Sequence, residues 1–340
     1  IGAVRGGLAM VSIGVSLFFA EISGSAVADV AALGSILIPE MKKRGYGAPF
    51  AAAVTSSSAS LAIIIPPSIP MILYAVSANT SVEQLFVAGF IPGLMGAIGL
   101  MGVSWWFARR YNLPVEEAFN WPRLRHAAIE AGPTFLLPII ILGGIFGGFV
   151  TATEAAGLAV LAAIGVGIWY REVDFSQLHR AMLEGGMQTA VVMVLVAASV
   201  LMGGFLTRAQ IPQELAAQMV AFTDSKFVIL LILNVFFLII GFFLHSAAAI
   251  ILVVPIVVPL IQQVGIDPVH FGLVVTLNLA IGQQTPPVAS VLITACSIAR
   301  ANIWEVTRVN LPFIAVLVGV LLICTYVPAI PMFLVELFYR

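Results

Sequence analysis

Charge is scarce in this sequence: Asp, Glu, Lys and Arg together make up 9% of its 340 residues. A soluble domain carries roughly 25% charged residues. Too few charges are available to cover a globule, so the solvent for most of the chain must be lipid. Cysteine is nearly absent as well. Cys296 and Cys324 both lie in apolar runs, which argues against a disulfide framework or a cysteine metal site. The histidines stand apart at 126, 179, 245 and 270 and give no constellation for an intramembrane enzyme. No phosphate-binding glycine–lysine loop occurs, which disfavours an ATP-driven pump. With a net charge of −1 and no basic cluster, nothing points to a nucleic-acid partner. The first residues, from Ile1, lack the basic start and cleavage site of a signal peptide. They read as the middle of a longer polypeptide with further helices ahead.

What is abundant is apolar: 61% of residues are hydrophobic and the mean hydropathy is +1.10. Apolar segments recur at 6–22, 26–39, 48–78, 85–108, 134–150, 154–170, 187–206, 227–244, 246–262, 269–299 and 309–335. A helix needs about 20 residues to cross the hydrocarbon. Segments 6–22 and 26–39 are short and meet at Glu21–Ser25; segments 227–244 and 246–262 meet at His245–Ser246. Each pair reads as a re-entrant hairpin whose tip lines a cavity, because irregular backbone at membrane depth needs protein or water around it.

An internal repeat supports the pairing. An offset of 220 residues superposes Pro39 on Pro259, Gly45 on Gly265, Pro66-Pro67 on Pro286-Pro287 and Pro92 on Pro312. Coinciding prolines mark coinciding backbone breaks. The expected fold is an all-α polytopic membrane protein with an inverted repeat. The first repeat occupies 1–110, with a hairpin at 4–40, a broken helix at 47–79 and a helix at 85–110. An amphipathic interfacial segment follows at 111–132, then scaffold helices at 133–208. The second repeat occupies 209–340, with a hairpin at 226–263, a broken helix at 268–300 and a helix at 304–335. Residues 210–224 are read either as a second interfacial segment or as a plain connection.

Counting the helices but not the hairpins as crossings puts the two broken helices in opposite directions, the architecture of secondary transporters. Lysine and arginine test the count. One set of loops holds Arg5, Lys42, Lys43, Arg44, Arg109, Arg110, Arg123, Arg125, Arg171, Arg180, Arg300 and Arg308; the other holds Arg208, Lys226 and Arg340. The first set is therefore cytoplasmic.

The chemistry is expected at the breaks and tips. Consecutive prolines free carbonyls upstream, and carbonyls beside hydroxyls suit a dehydrated Na⁺. Thr55, Ser56, Ser57, Ser58 and Ser60 precede Pro66-Pro67-Ser68, and Thr276, Asn278, Gln283, Gln284 and Thr285 precede Pro286-Pro287. Taken singly, any of these hydroxyls is as well explained by bonding back to its own helix. The tips, Ser23-Gly24-Ser25 and His245-Ser246, place helix N-termini at the midplane, where amides attract an anion. No Arg lies at membrane depth in either repeat, so an acidic substrate must be met by amides, hydroxyls and co-transported cations. Glu21, Asp29 and His245 fall near membrane depth and are functional candidates by default. For Glu21 and Asp29 a satisfied structural group beside a wet cavity is the equal alternative. For His245, which could also sense protons, a neutral hydrogen-bonded ring is preferred. Glu154 opens a helix and reads as a cap.

The stretches SGSAVADVAALGSILIPEMKKRGY at 23–46, IIIPPSIPMILYAVSANTSVEQLFVAGFIPG at 63–93, GGFVTATEAA at 147–156 and IGQQTPPVASVLI at 281–293 resemble the large membrane subunit of tripartite ATP-independent periplasmic (TRAP) transporters. With the helix pattern between them, the resemblance covers essentially the whole chain. It implies Na⁺-coupled uptake of an organic acid, a C4-dicarboxylate or an acidic sugar, at the bacterial inner membrane. A periplasmic solute-binding protein and a smaller four-helix membrane subunit would be its partners, Na⁺ the coupling ion with no cofactor, and an elevator motion the mechanism. On this footing Ser23, Gly24, Ser25, Ser56, Ser58, Pro67, Ser68, His245, Ser246, Thr285 and Pro287 would bind substrate. Ser23, Ser25, Ser57, Ser60, Ile65, Ser246, Asn278, Gly282 and Thr285 would bind Na⁺. Two positions depart from the family pattern: His245 stands where an acidic residue is common and Ala289 where glycine is usual. A stand-alone Na⁺/dicarboxylate symporter with no binding protein is the alternative.

Overall fold

Thirty residues of unbroken apolar chain would form one long helix, and the paired prolines prevent it twice. The structure, a computed structural model, describes residues 5–113, 120–211, 214, 217–218, 223 and 225–339. Among them the regular structure is helical, with no β-strand. The first hairpin is α1 (Gly7–Ser23) and α2 (Ala26–Lys43). The first broken helix is α3 (Ala48–Ala59) and α4 (Ile69–Ala78), and α5 (Val82–Arg110) follows. Next come α6 (Trp121–Ala131), α7 (Leu136–Phe146), α8 (Ala152–Trp169) and α9 (Phe175–Arg208). The second hairpin is α10 (Lys226–Phe243) and α11 (Ser246–Gln263). The second broken helix is α12 (Pro268–Gly282) and α13 (Ser290–Ala299), followed by α14 (Ile303–Tyr326) and α15 (Ala329–Tyr339).

The offset of 220 recurs in these boundaries. α2 and α11 begin at residues 26 and 246 and end at 43 and 263, and α3 and α12 begin at 48 and 268. Gly45 and Gly265 both have positive φ, 85° and 67°, and the peptide bonds Pro66–Pro67 and Pro286–Pro287 are both cis. Local chemistry explains the helix starts. Asp267 accepts from the amides of Val269 and His270 at 2.8 and 3.2 Å, with Pro268 filling the first helical position that needs no donor. Asn302 accepts from Trp304 N at 2.9 Å. Thr151 and Glu154 form a reciprocal capping box, so Glu154 is a cap as its position suggested.

Two compact units result. One takes in α1–α5 and α10–α15. The broken helices are its core: every residue from Phe50 to Ala59 and from Val269 to Gly282 is buried. α3 packs on α1, α2, α13 and α14, and α12 packs on α10, α11, α14 and α5. The second halves cross over, α4 packing on α11 and α13 on α2. Polar bonds reinforce the crossing: Tyr74 donates to Pro268 O at 2.8 Å and Lys42 Nζ to Ala299 O at 2.9 Å. The other unit spans residues 120–202. There α7 packs on α8, and α8 buries only Ala155. Leu161, Ile168, Val194 and Leu201 are all more than 60% exposed, an apolar surface suited to lipid or to other helices rather than to water.

Two sequence expectations change. The segment expected as one helix over 304–335 is broken between α14 and α15. Pro328 lacks a donor and forces Val327 out of the helical region (φ −123°, ψ 73°). The segment expected to stand apart at 111–132 is helical from Trp121 and continues through a 3₁₀ turn at Gly132–Phe135 into α7; residues 114–119 and most of 210–224 lie outside the described residues. Finally, among the described residues seven helical stretches are long and apolar enough to span a bilayer, and they include α10 and α11 but neither broken helix, whose halves are 10–15 residues each. Length and composition therefore leave the re-entrant reading of the second hairpin open.

Candidate functional site

Both hairpin tips reach the proline breaks. Gly24 closes α1 with φ 62°, a conformation costly for any residue with a Cβ. A Cβ there would also lie 2.7 Å from Pro67 O. Ile69 N donates to Gly24 O at 3.4 Å, so the first tip rests on the first break. Ser23 folds back on the tip, its Oγ donating to Ser25 O and accepting from Ser25 N, each at 3.2 Å. In the second copy Val288 N donates to Phe242 O at 3.2 Å, and the backbones of Gly241 and Gly282 touch.

The tips also reach each other. A cavity of about 30 Å³ is lined by Gly24, Ser25 and Ala26 from the first tip, by His245, Ser246 and Ala247 from the second, and by Ile63, Ile69, Pro70 and Gln283 from the breaks. That volume holds one water or ion-sized guest. The N-termini of α2 and α11 both open onto it, so unpaired helix amides and two serines face one small space. Ser246 is buried, while His245 caps α11 with extended backbone and no side-chain cap bond. Gln283 is buried with its Nε2 unpartnered.

The remaining candidates do not line this cavity. Ser56 donates to Ala53 O, Ser60 to Ser56 O, Ser68 to Ile63 O, Thr276 to Leu273 O and Thr285 to Ile281 O. A hydroxyl that donates to its own helix keeps its lone pairs, so these bonds satisfy the structure without removing the oxygens as cation ligands. Ile65 offers the carbonyl before Pro66. The Gly282 carbonyl accepts from Thr285 N at 3.0 Å, and Pro67 and Pro287 supply shape.

Two buried amide networks were not foreseen. The single Ser57 hydroxyl proton lies between two acceptors, Asn310 Oδ1 at 2.5 Å and Ala53 O at 2.8 Å, and Asn310 Nδ2 donates to Gln284 Oε1 at 3.3 Å, joining the first broken helix to the second break. Asn278 Nδ2 donates to Asn234 Oδ1 at 2.7 Å, and Asn234 Nδ2 donates to Thr325 Oγ1 at 3.2 Å. Ser58 Oγ bonds Ser16 Oγ at 2.8 Å. Residues 58 and 278 are related by the offset of 220, and each ties its broken helix to the first helix of its own hairpin. The signal for Asn234 was present: one amide among apolar neighbours from Phe227 to Phe243. Replacing Asn310 by leucine strands the buried Gln284 acceptor, and an unmet buried group costs about 1–3 kcal/mol. Thermal unfolding in nanodiscs should show a loss of about 2 kcal/mol, and Ser57→Ala added to it little more.

Of the membrane-depth carboxylates, Asp29 is fully buried, with no donor among the described residues within ordinary hydrogen-bond distance of its oxygens and the Ser23 hydroxyl beside it. Asn278 Oδ1 and Thr55 Oγ1 are likewise buried and unpartnered. Among the described residues no group of three His, Cys, Asp or Glu side chains could hold a metal. What the site offers is neutral oxygens and one carboxylate, a donor set suited to a hard monovalent cation.

A family model described as "Tripartite ATP-independent periplasmic transporter, DctM component" matches residues 1–330. The chain is 42% identical over 335 residues to the isethionate TRAP transporter permease protein DctMQ of Oleidesulfovibrio alaskensis, a match covering 98% of this chain and 53% of that protein. It is 37% identical over 331 residues to the C4-dicarboxylate TRAP transporter large permease protein DctM of Pseudomonas aeruginosa, covering 97% and 78%. To the sialic acid TRAP transporter large permease protein SiaM of Vibrio cholerae it is 36% identical over 339 residues, covering 99% and 79%. The chain thus spans about half the length of the first relative and nearly four-fifths of the other two.

Proposed function

From the premise that the chain belongs to the DctM component family of tripartite ATP-independent periplasmic transporters, we propose that it is the large membrane subunit of a Na⁺-coupled importer of an organic acid. Its partners are a periplasmic binding protein that delivers the acid and a smaller membrane subunit, and it works in the bacterial inner membrane. The relatives named for isethionate, C4-dicarboxylates and sialic acid all carry an acidic substrate in their names, and this chain's substrate belongs to that class.

The observation that carries the reading is the meeting of both tips and both breaks around one ion-sized cavity. Helix N-termini and serines there favour a carboxylate, while lone pairs on Ser57, Ser60, Asn278 and Thr285 and the carbonyls of Ile65 and Gly282 favour Na⁺. Binding both together neutralises a charge that no arginine at that depth offsets. The repeat copies run in opposite directions in this reading, and an elevator motion of the hairpins and broken helices carries the substrate across.

Uptake into proteoliposomes holding this subunit and its small partner tests the proposal. Candidate acids are offered with and without a Na⁺ gradient and a binding protein, and accumulation that needs both is expected. Accumulation with Na⁺ but no binding protein would make the chain a stand-alone symporter. Ser25→Ala and Ser246→Ala should each weaken the Na⁺ dependence by about tenfold, the worth of one hydrogen bond to an ion, without impairing insertion. Unchanged Na⁺ dependence in both variants would remove the tips from the ion site.

A further inference from the structure

A second cavity, of about 290 Å³, lies on the same unit and is lined by Leu17, Ile65, Phe90, Ile91, Leu94 and Leu334 around a single ionisable side chain, Glu21. Everything about the placement of this carboxylate is unfavourable to a charge left alone. It sits in the last turn of α1, where the helix dipole repels an anion. It is half-buried, its cavity is otherwise aliphatic and aromatic, and the tip at Gly24 is only about 4–5 Å further along the helix axis. Among the described residues no basic side chain lies within ion-pairing distance of it. Leu94, on the rim, is 53% exposed, so the cavity opens on the apolar flank of α5 rather than into the core.

We propose that this cavity is a binding site, distinct from the tip cavity, for a hydrophobic primary amine entering from the lipid phase, with its ammonium group on Glu21 and its chain along Phe90, Ile91 and Leu94. The fit is one of charge and volume together: an apolar space near the lower end of ligand-cavity sizes, with one convergent polar group, and an anion that lacks a cation. The assignment needs only a membrane-embedded chain and does not rest on what the protein transports. An occupant would wedge between the first hairpin, the first break at Ile65 and α5.

The test uses the protein in phosphatidylcholine nanodiscs, with decan-1-amine and decan-1-ol compared at equal mole fraction in the bilayer. A charge-assisted hydrogen bond contributes about 1.5–3 kcal/mol, so the amine should raise the unfolding midpoint at concentrations at least about tenfold lower than the alcohol. Glu21→Gln should erase that difference. Leu94→Trp, which fills the rim at an exposed position, should weaken the response to the amine while leaving the carboxylate. Independently, a hydrophobic carbodiimide should modify Glu21 in the wild-type protein, and decan-1-amine should protect it, read by peptide mass spectrometry. Equal potency of amine and alcohol, discrimination retained in Glu21→Gln, or no protection from the carbodiimide would each overturn the proposal and leave a cavity filled by lipid chains.

Discussion

Gly282→Val should lower stability by about 3 kcal/mol, the upper end of overpacking costs. The reason is what a side chain there would meet. A Cβ at Gly282 falls 2.6 Å from the Cα and the carbonyl carbon of Gly241, and a Cβ at Gly241 falls 3.1 Å from Gly282 Cα. Both neighbours are backbone, so no rotamer change relieves the clash and α10 must leave α12. That movement would also pull Asn234 from Asn278 and release the Val288–Phe242 bond. Thermal unfolding in nanodiscs, compared with Gly319→Val, gives the result. Gly319 has nothing within 4 Å of its notional Cβ, so its variant should lie within about 1 kcal/mol of wild type, the helix-propensity range. Equal behaviour of the two would mean that the helices are not in backbone contact.

Asp29→Asn should reduce Na⁺-dependent uptake by about 10–100-fold while the protein still inserts. The substitution keeps shape and removes only the charge. Asp29 stands in the first turn of α2, where the dipole favours an anion, with Ser23 as its side-chain neighbour. It is fully buried, and no donor among the described residues lies within ordinary hydrogen-bond distance of its oxygens. A buried carboxylate without a partner must be met by a cation or a proton. A charge-assisted contact to a bound cation is worth about 1.5–3 kcal/mol, which gives the stated range. The measurement is initial uptake rate against Na⁺ concentration. A variant that shifts only the Na⁺ concentration for half-maximal rate places Asp29 by the ion, whereas wild-type Na⁺ dependence would leave it a structural group.

The parts of this fold that were legible in the sequence are those set by backbone chemistry. Paired prolines at 66–67 and 286–287 dictate where long apolar runs break. Glycine–serine and histidine–serine junctions mark where short ones turn, and the proline register carries the offset of 220 that reappears in helices α2 and α11. What side chains do across space was not legible. Nothing in the run before Pro66 distinguishes Ser57, which reaches Asn310, from Ser56, which bonds only its own helix. Asn310 belongs to a helix read as ordinary, and its role exists only because α14 lies between the two breaks. The break at Val327–Pro328 could have been read from Pro328 and was masked by the apolar residues on either side.

The crossing of α4 onto α11 and of α13 onto α2 has a further consequence. Each half of the repeat keeps its own hairpin's first helix and lends the second half of its broken helix to the other copy, as protomers do in a domain-swapped dimer. Neither copy encloses a complete hydrophobic interior by itself. A cut between the two copies would therefore strip α4 from α11 and α13 from α2 at once.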